Sequence, residues 1–212
     1  MRLYFVRHGE SQANLRHQFA NQINDSHPLT EQGRAQAQAL AEKLRRVPVT
    51  AIYSSPLLRA RQTAEILNGP HGLEIQIEPA LREHDPGELE GRSDPAAWKQ
   101  YAELFETWIL KGDRDARIPG GESWNELHGR FAPFLEGLVA RYHATDAHLV
   151  LVAHAGILHA MLPAFLSNVD YRFGYEHILS NSALVIAQAR PNGLYCESWD
   201  GVELELAGRA AE

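Results

Sequence analysis

Short runs of apolar residues alternate with longer amphipathic stretches along most of the chain. Residues 2–6, 50–55 and 148–154 are short and apolar, and they predict β-strands. Residues 28–46 and 57–67 repeat apolar positions at three- to four-residue spacing, which predicts helices. Such alternation is typical of βαβ units, and unbroken apolar strands indicate a sheet covered on both faces. We therefore predict an α/β fold.

The second half of the chain adds three further features to this pattern. Residues 73–81 alternate as a strand does, and residues 157–166 predict a helix directly after the strand at 148–154. The tail predicts a closing β-hairpin that turns at residues 191–193.

Residues 86–145 interrupt the alternation, because they contain no convincing strand. Helical spacing connects the apolar positions Trp124, Leu127, Phe131, Leu135, Leu138 and Tyr142. We interpret this stripe as core rather than as a surface for a partner protein. The prediction is one domain over residues 1–212, with a helical insertion at roughly 86–145 that lies over the active-site end of the sheet.

Composition narrows the classes of function. The chain has 212 residues, 44% hydrophobic and 22% charged, which is enough to bury a full core in one domain. A net charge of -7 provides no general basic field for nucleic acid or an anionic membrane. Cys196 is the single cysteine, no signal peptide is visible, and no apolar stretch reaches the roughly 20 residues of a membrane span. We expect a cytoplasmic monomer or homodimer without nucleic-acid or membrane partners.

Two predicted strands end in the same way, with a histidine followed by small residues. His8 follows the first strand and His154 follows the strand at 148–153. In open α/β sheets, ligands bind beyond the carboxyl ends of the strands, so neighbouring strands would bring these histidines together. Arg7 and Arg59 come from the same kind of position, and arginine matches the oxygens of a phosphate in pairs. The sequence therefore predicts a site for a small tetrahedral dianion.

This arrangement also predicts chemistry on phosphorus. An imidazole is a competent nucleophile when one nitrogen faces the ligand and a carbonyl fixes the other, and arginines with a protonated His154 would stabilise the transition state. A carboxyl group must then protonate the leaving alkoxide and later accept a proton from water. Glu83 is the first candidate, and three nearby carboxylates compete with it: Asp85, Glu88 and Glu90. The scheme requires no metal ion.

Six motifs follow one another along the chain: VRHGES with Asn14 behind it, PLTEQGRAQA, SSPLLRARQTA, LREHDPGELEG, PGGES and VAHAGIL. Through these motifs, in this order, the chain resembles the histidine phosphatase superfamily in its phosphoglycerate-mutase-like branch. The resemblance implies a three-layer α/β/α sandwich with a mainly parallel sheet. It also implies a phosphoric monoester hydrolase of the histidine acid phosphatase type that uses no metal and no organic cofactor.

The resemblance assigns a role to each matching residue. By that resemblance His8 is the residue that becomes phosphorylated, and Glu83 is the acid and base. Four further residues surround the phosphoryl group: Arg7, Asn14, Arg59 and His154. The implied substrate is a small phosphorylated metabolite, such as a sugar phosphate, a relative of phosphoglycerate or a nucleotide-derived phosphate.

Two departures from the family pattern bear on the substrate, and a phosphatase is favoured over a mutase by the second of them and by the PGGES element. The loop at residues 15–27 lacks the glycine that relatives often carry, so it should shape the site differently. The insertion has no adjacent arginine pair to hold a second anion, and its basic residues are scattered: Lys99, Lys111, Arg114 and Arg117. The alternatives are a phosphoglycerate-type mutase and a phospholigand-binding module without catalysis.

Several other residues have structural interpretations beside functional ones. Glu122 and Ser123 either begin a helix, with Glu126 completing a capping box, or lie at the pocket rim. No pair of histidines has the HExxH spacing of a zinc site. The remaining histidines are expected to be surface or packing residues: His17, His27, His71, His84, His128, His143, His148, His159 and His177.

Overall fold

The computed structural model describes residues 1–22 and 26–205. This part of the chain contains seven strands and seven α-helices. The strands are β1 (Arg2–Arg7), β2 (Val49–Ser54), β3 (Ile75–Ile77), β4 (His148–Ala153), β5 (Leu184–Arg190), β6 (Gly193–Trp199) and β7 (Val202–Glu203). The helices are α1 (Gln12–Leu15), α2 (Glu31–Leu44), α3 (Leu58–Asn68), α4 (Pro95–Ile109), α5 (Trp124–Tyr142), α6 (Ala155–Phe165) and α7 (Tyr171–Glu176). In this part of the chain no helix combines the length and the apolar character needed to cross a membrane.

The strands form one mixed sheet in the order β3-β2-β4-β1-β5-β6-β7. The first four strands of that order are parallel, and the last three continue the sheet in antiparallel fashion. The α/β fold class predicted from the sequence is confirmed. The predicted hairpin is also confirmed, since β5 and β6 pair and turn at residues 191–192.

Both faces of the sheet are covered, which explains why the central strands are uninterrupted apolar runs. Along β1, Leu3 and Phe5 belong to a core shared with α4, α5 and α6. The alternate residues Tyr4 and Val6 belong to a second core shared with α2 and α3. Because successive side chains of a strand point to opposite faces, helices lie on both sides of the sheet and give three layers.

Residues 86–145 contain α4 and α5 and no strand. The apolar stripe of α5 is core, because Leu127, Phe131 and Leu135 are fully buried. Ser123 caps this helix by accepting a hydrogen bond from the Glu126 backbone N–H, and the Glu126 carboxylate accepts one from Ser123 N–H. The capping-box interpretation of Ser123 is therefore confirmed.

Three short elements differ from the sequence pattern. The strand predicted over residues 73–81 pairs only at Ile75–Ile77, because Pro79 has no N–H for a ladder and begins a 3-10 turn. The helices α1 and α7 were not predicted, since they are too short for a periodic pattern. Each is begun by a polar cap instead, Ser11 for α1 and Asp170 for α7.

The loop after β1 lies directly against the first turn of α2. A Cβ on Gly33 would overlap the carbonyl oxygen of Glu10, and a Cβ on Gly9 would overlap that of Gly33. Thr30 holds the contact from the other side, because its hydroxyl donates to Glu10 Oε1 at 2.6 Å and accepts from Gly33 N–H at 3.0 Å. Because Gly9 and Gly33 have no side chains, the two backbone segments can touch. This contact fixes the position of the loop that follows His8.

Gly33→Ala tests this contact. We expect the free energy of unfolding to fall by about 1–3 kcal/mol, the usual cost of forcing atoms into a well-packed place. Gly137→Ala is the matched control, because Gly137 lies within α5 and a Cβ there meets nothing within 4 Å. The control should gain about 0.5–1 kcal/mol from the better helix former. Urea unfolding of the three proteins measures both changes, and an undiminished stability of Gly33→Ala would contradict the contact.

Candidate active site

Two histidines meet at the carboxyl ends of β1 and β4. The strands pair in parallel with Arg7 opposite Ala153, so the next residues, His8 and His154, lie side by side. Their ring centroids are 5.0 Å apart with the rings edge to face, and both side chains are buried. The predicted meeting of the two histidines is confirmed.

The ring of His8 is held in a single tautomer. Its Nδ1 lies 2.7 Å from the carbonyl oxygen of Gly9, which can only accept, so Nδ1 carries the proton. Its Nε2 lies 3.0 Å from Arg59 Nε, which can only donate, so Nε2 carries the lone pair. Both constraints give the same tautomer, with the lone pair on the nitrogen beside Arg59.

The charge state of His8 follows from its surroundings. Burial, followed by the positive charges of Arg59 and Arg7, holds the pKa of His8 well below its usual value. The hydrogen bond to Gly9 opposes this shift and is the weaker influence. His8 is therefore a neutral imidazole at neutral pH, as a nucleophile must be.

Arg59 reaches this site from the first turn of α3. Its guanidinium donates to the carbonyl oxygen of Ala20 at 2.6 Å and to Asn21 Oδ1 at 3.2 Å, in addition to His8. Burial lowers its pKa to about 10, although the carboxylates of Glu83 and Glu90 oppose the shift. Arg59 thus remains a cation at neutral pH and ties the loop at residues 19–21 to the floor of the site.

Arg7 brings a second guanidinium to the same place. Its Nη1 donates to the carbonyl oxygen of Leu179 at 2.6 Å. Its Nε is buried and makes no hydrogen bond within the described residues. A buried donor of a cation without an acceptor is costly, so this N–H is suited to receive an anion.

His154 is buried as a neutral ring. Its Nε2 lies 2.7 Å from the hydroxyl of Ser55, and its Nδ1 is buried without a hydrogen-bond partner in the described chain. Burial, then the charge of Arg59, holds the pKa of His154 well below its usual value. Full burial beside cations thus favours the neutral ring in this structure, and the protonated ring expected for the transition state stays a prediction.

Glu83 is held at the N-terminus of α6. Its carboxylate accepts hydrogen bonds from the backbone N–H groups of Gly156 at 2.9 Å, Ile157 at 2.7 Å and His84 at 2.9 Å. The free N–H groups and the dipole of a helix N-terminus favour a negative charge there. These bonds fix the carboxylate at the wall of the site, opposite the arginines.

The competing carboxylates have other partners. Glu90 accepts the N–H of Asn21 through both oxygens, at 2.9 and 3.1 Å, and so holds the loop over Arg59. Asp85 accepts the N–H of Gly87 at 3.0 Å. Glu88 is exposed. Among the four predicted candidates, Glu83 is the one that lines the cavity described below.

Asn14 belongs to α1, the short helix that begins four residues after His8. Its Oδ1 accepts hydrogen bonds from the backbone N–H of Ser11 at 3.0 Å and from the Ser11 hydroxyl at 2.9 Å. Because donors surround Oδ1, the Nδ2 group is the part of Asn14 left to donate to a ligand. The capping box of a four-residue helix thus orients this side chain.

These side chains form one end of a cavity of about 490 Å³. Five of the six predicted site residues line it, whereas His154 is fully buried beside His8 and does not line it. The rest of the lining was not predicted residue by residue. It consists of Ala13, Gln18, Phe19, Ala20, Asn21, Trp98, Tyr101, Ala102, Phe105, Ile109, Ala155, Gly156, His159, Gly174, Tyr175 and Ile178.

Two histidines from the expected packing group lie near the site. His84 is buried against Trp108, with ring centroids 5.0 Å apart, so its packing role is confirmed. His159 lines the cavity, which the sequence did not indicate. Its Nε2 accepts the N–H of Leu179 at 3.0 Å, and burial lowers its pKa to about 4. His159 lies about one helical turn after Gly156 in α6. This spacing could have predicted its place at the cavity.

Glu122 supports the site from outside the cavity. Its carboxylate bridges Arg82, at 2.9 Å, and Arg130, at 2.8 Å. Arg130 also donates to the backbone oxygen of Glu83 at 3.2 Å. Glu122 does not line the cavity, so its interpretation as a rim residue is wrong. Within the described residues, no group of three or more His, Cys, Asp or Glu side chains is arranged to hold a metal ion.

The chain is similar to proteins of one family. Residues 3–201 match the model of the histidine phosphatase superfamily (branch 1). A Salmonella choleraesuis (strain SC-B67) protein named "Probable phosphoglycerate mutase GpmB" is 40% identical over 130 residues, 61% of this chain and 59% of that relative. The chain thus spans about three-fifths of the length of the curated relatives it matches.

Two solved mycobacterial structures cover nearly the whole chain. "Mycobacterial hydrolase 1" superposes with a TM-score of 0.80 at 27% identity, over 94% of this chain and 97% of that one. Mycobacterial glucosyl-3-phosphoglycerate phosphatase superposes with a TM-score of 0.76 at 28% identity, over 94% of this chain and 98% of that one.

Because His8 and His154 are buried as neutral rings, we predict that acid lowers the free energy of unfolding. Below about pH 6.5 the unfolded histidines bind protons that folded His8 and His154 do not bind, so the free energy of unfolding falls with falling pH. Each contributes at most about 1.4 kcal/mol per pH unit. His154→Asn should reduce the slope in urea unfolding between about pH 7 and pH 5.

The same titration contains its own control. Above about pH 7.5 histidines are neutral in the folded and the unfolded chain, so the stability difference between the wild type and His154→Asn should be constant there. A variant whose slope in acid equals that of the wild type would contradict the neutral state of His154.

Proposed function

We propose that this chain, which belongs to the histidine phosphatase superfamily (branch 1), hydrolyses phosphate monoesters of small metabolites through a phosphohistidine on His8, without a metal ion. The observation that carries the proposal is the state of the His8 ring. Gly9 holds its Nδ1–H, and its Nε2 lone pair lies beside Arg59 at the lining of the cavity. A neutral imidazole in one fixed tautomer is suited to attack phosphorus, whereas anion binding alone would need only cations.

The phosphoryl group would lie between the cationic side chains and His8. Arg7 Nε has no partner within the described residues, and Arg59 Nε donates to the nitrogen that must attack. When a phosphoryl oxygen takes the place of Nε2 as acceptor, Arg59 releases the lone pair and stabilises the charge of the transition state. Asn14 Nδ2 is a further group for the equatorial oxygens.

The reaction has two steps. In the first, His8 Nε2 forms a bond to phosphorus while the ester P–O bond breaks, and Glu83, in the protonated form that the second step restores, gives its proton to the leaving alkoxide. In the second, water attacks phosphorus, the P–N bond breaks, and Glu83 takes the proton from water. Phosphate leaves, and His8 regains its neutral ring with the proton on Nδ1.

Phosphoryl transfer to a second hydroxyl is the other candidate function. The name of the Salmonella relative favours it, because a mutase would use the same phosphohistidine and return the group to its substrate. Among the described residues, the charged side chains that line the cavity, apart from histidines, are Arg7, Arg59 and Glu83. A substrate carboxylate or second phosphate would meet no further cation of this part of the chain there, so we place hydrolysis first.

Phosphate release in excess EDTA tests the proposal. We expect the wild type to release phosphate from p-nitrophenyl phosphate and from metabolite monoesters with EDTA present, and His8→Ala to lose all but a trace of this activity. Circular dichroism and urea unfolding must show that the variant is folded. Activity that requires a metal, or that survives in folded His8→Ala, would contradict the phosphohistidine. Isomerisation of phosphoglycerates without release would instead support the mutase.

Glu83→Gln tests the proton donor. Because only a poor leaving group needs a proton, we expect kcat/KM for alkyl phosphates to fall by roughly 10²–10⁴ and kcat/KM for p-nitrophenyl phosphate to fall much less. The ratio kcat/KM reports the first step, which keeps the later attack of water out of the comparison. Glu88→Gln is the matched control, since Glu88 is exposed and does not line the cavity. Equal losses on both substrates would assign the acid to another residue.

A further inference from the structure

The two ends of the cavity have opposite chemical character. The inner end has the charged groups of Arg7, Arg59 and Glu83 around His8. One wall of the outer end is α4, which presents aromatic and aliphatic side chains at helical spacing. They are Trp98, Tyr101, Phe105 and Ile109.

Further apolar side chains adjoin α4. Phe19 stacks on Trp98, with ring centroids 4.2 Å apart, and so joins the loop after α1 to α4. Tyr175 in α7 and Ile178 after it add to the lining. A leaving group attached to a phosphoryl group at His8 would therefore meet mainly apolar side chains.

Exposed apolar side chains concentrate at this mouth. The described residues include seven large hydrophobic side chains that are exposed: Leu15, Ile77, Trp98, Leu110, Tyr175, Ile178 and Val202. Three of them line the cavity: Trp98 at 39%, Tyr175 at 41% and Ile178 at 76% exposure. Leu15 and Leu110 directly follow lining residues. A patch of this kind, next to a site for one phosphate, is typical of a surface that a ligand covers.

Two arginines of the insertion, Arg114 and Arg117, have their partners outside the cavity. Arg114 lies over the rings of Trp124, at 3.9 Å, and Tyr171, at 4.5 Å. Arg117 pairs with Glu126 at 2.7 Å. None of these residues lines the cavity. A second anionic group on the substrate would be desolvated among aromatic rings without a partner, which is unfavourable.

Several polar groups of the lining are occupied by hydrogen bonds within the chain. Gln18 Nε2 donates to the backbone oxygen of Gly91 at 2.8 Å, and Asn21 Nδ2 donates to that of His84 at 2.9 Å. The Tyr175 hydroxyl donates to Glu106 at 3.3 Å. The Tyr101 hydroxyl lies next to Gly156 and Glu83, at the inner end. The outer end thus offers few polar groups to the many hydroxyl groups of a sugar.

We infer that the preferred substrate is a phosphate monoester with an apolar leaving group, an alkyl or aryl alcohol that carries no second charge. This inference rests on the proposed function and narrows it to one class of monoester. The inner end binds the phosphoryl group, and the outer end buries the hydrocarbon of the alcohol. Ile178 and the cavity face of α4 are then the residues that determine specificity.

A series of n-alkyl phosphates tests the inference. Ethyl, butyl and hexyl phosphate have leaving groups of similar acidity, so their rates differ through burial of the chain alone. We expect kcat/KM to rise by up to about fourfold for each buried methylene, and hexyl phosphate to exceed 3-phosphoglycerate. A flat or falling series, with ethyl phosphate hydrolysed, would overturn the inference and leave the proposed function intact.

Ile178→Lys tests the wall itself. The exposed position tolerates a charge, and the ammonium group should lower the ratio of kcat/KM for hexyl over ethyl phosphate. It should raise the ratio for 3-phosphoglycerate over hexyl phosphate by at least about fivefold, the effect of one ion pair at 4 Å in water. Ile77→Lys is the matched control, since Ile77 is 49% exposed on β3 and does not line the cavity. Equal ratios in the two variants would overturn the assignment.

A binding measurement separates the inference from the proposed reaction. Titration calorimetry with ethyl- and hexylphosphonate, which cannot be hydrolysed, should show tighter binding of the hexyl compound to the wild type. If that preference holds while no ester is hydrolysed, the proposed function falls and the apolar ligand class stands. If the two phosphonates bind equally, the apolar ligand class falls, whatever the rate of hydrolysis.

Discussion

The parallel pairing of β1 with β4 is the constraint on which the site depends. It sets Arg7 opposite Ala153 and makes the backbone N–H of His8 donate to the Ala153 oxygen at 3.1 Å. Every later feature follows from this register. His154 can lie beside His8 only if the strands end at the same level, and α6 then begins where its N–H groups reach Glu83. A shift of one residue in either strand would turn the histidine at the end of that strand to the opposite face of the sheet.

The electrostatics of the site follow from burial. Burial, and after it the positive charges of Arg59 and Arg7, holds both histidines in the neutral form. Glu83 is the buried carboxylate opposite the two arginines, and it accepts three backbone N–H groups. The site therefore combines strong positive charge with an uncharged nucleophile, which is the combination that attack on a phosphate dianion needs.

The sequence predicts the strand ends well and the cavity walls poorly, for physical reasons. His8 and His154 follow apolar runs in a repeated local pattern, so their meeting could be inferred from the chain alone. Glu83 could be separated from Asp85 and Glu90 only through the family resemblance, because its hydrogen bonds to Gly156 and Ile157 span more than seventy residues. The protonation of His154 depends on burial, which a sequence does not display.

Different parts of the chain form the two ends of the cavity. Strand ends and the first turns of α3 and α6 build the anion end, whereas α4 supplies most of the apolar wall. The cavity face of α4 takes no part in the pairing of β1 with β4. After a gene duplication, one copy could thus acquire a new leaving group by drift on a single helix, while the phosphoryl chemistry stays under unchanged selection. The residues that contact the leaving group are thus separate from those that perform the phosphoryl chemistry, and only the former are free to change.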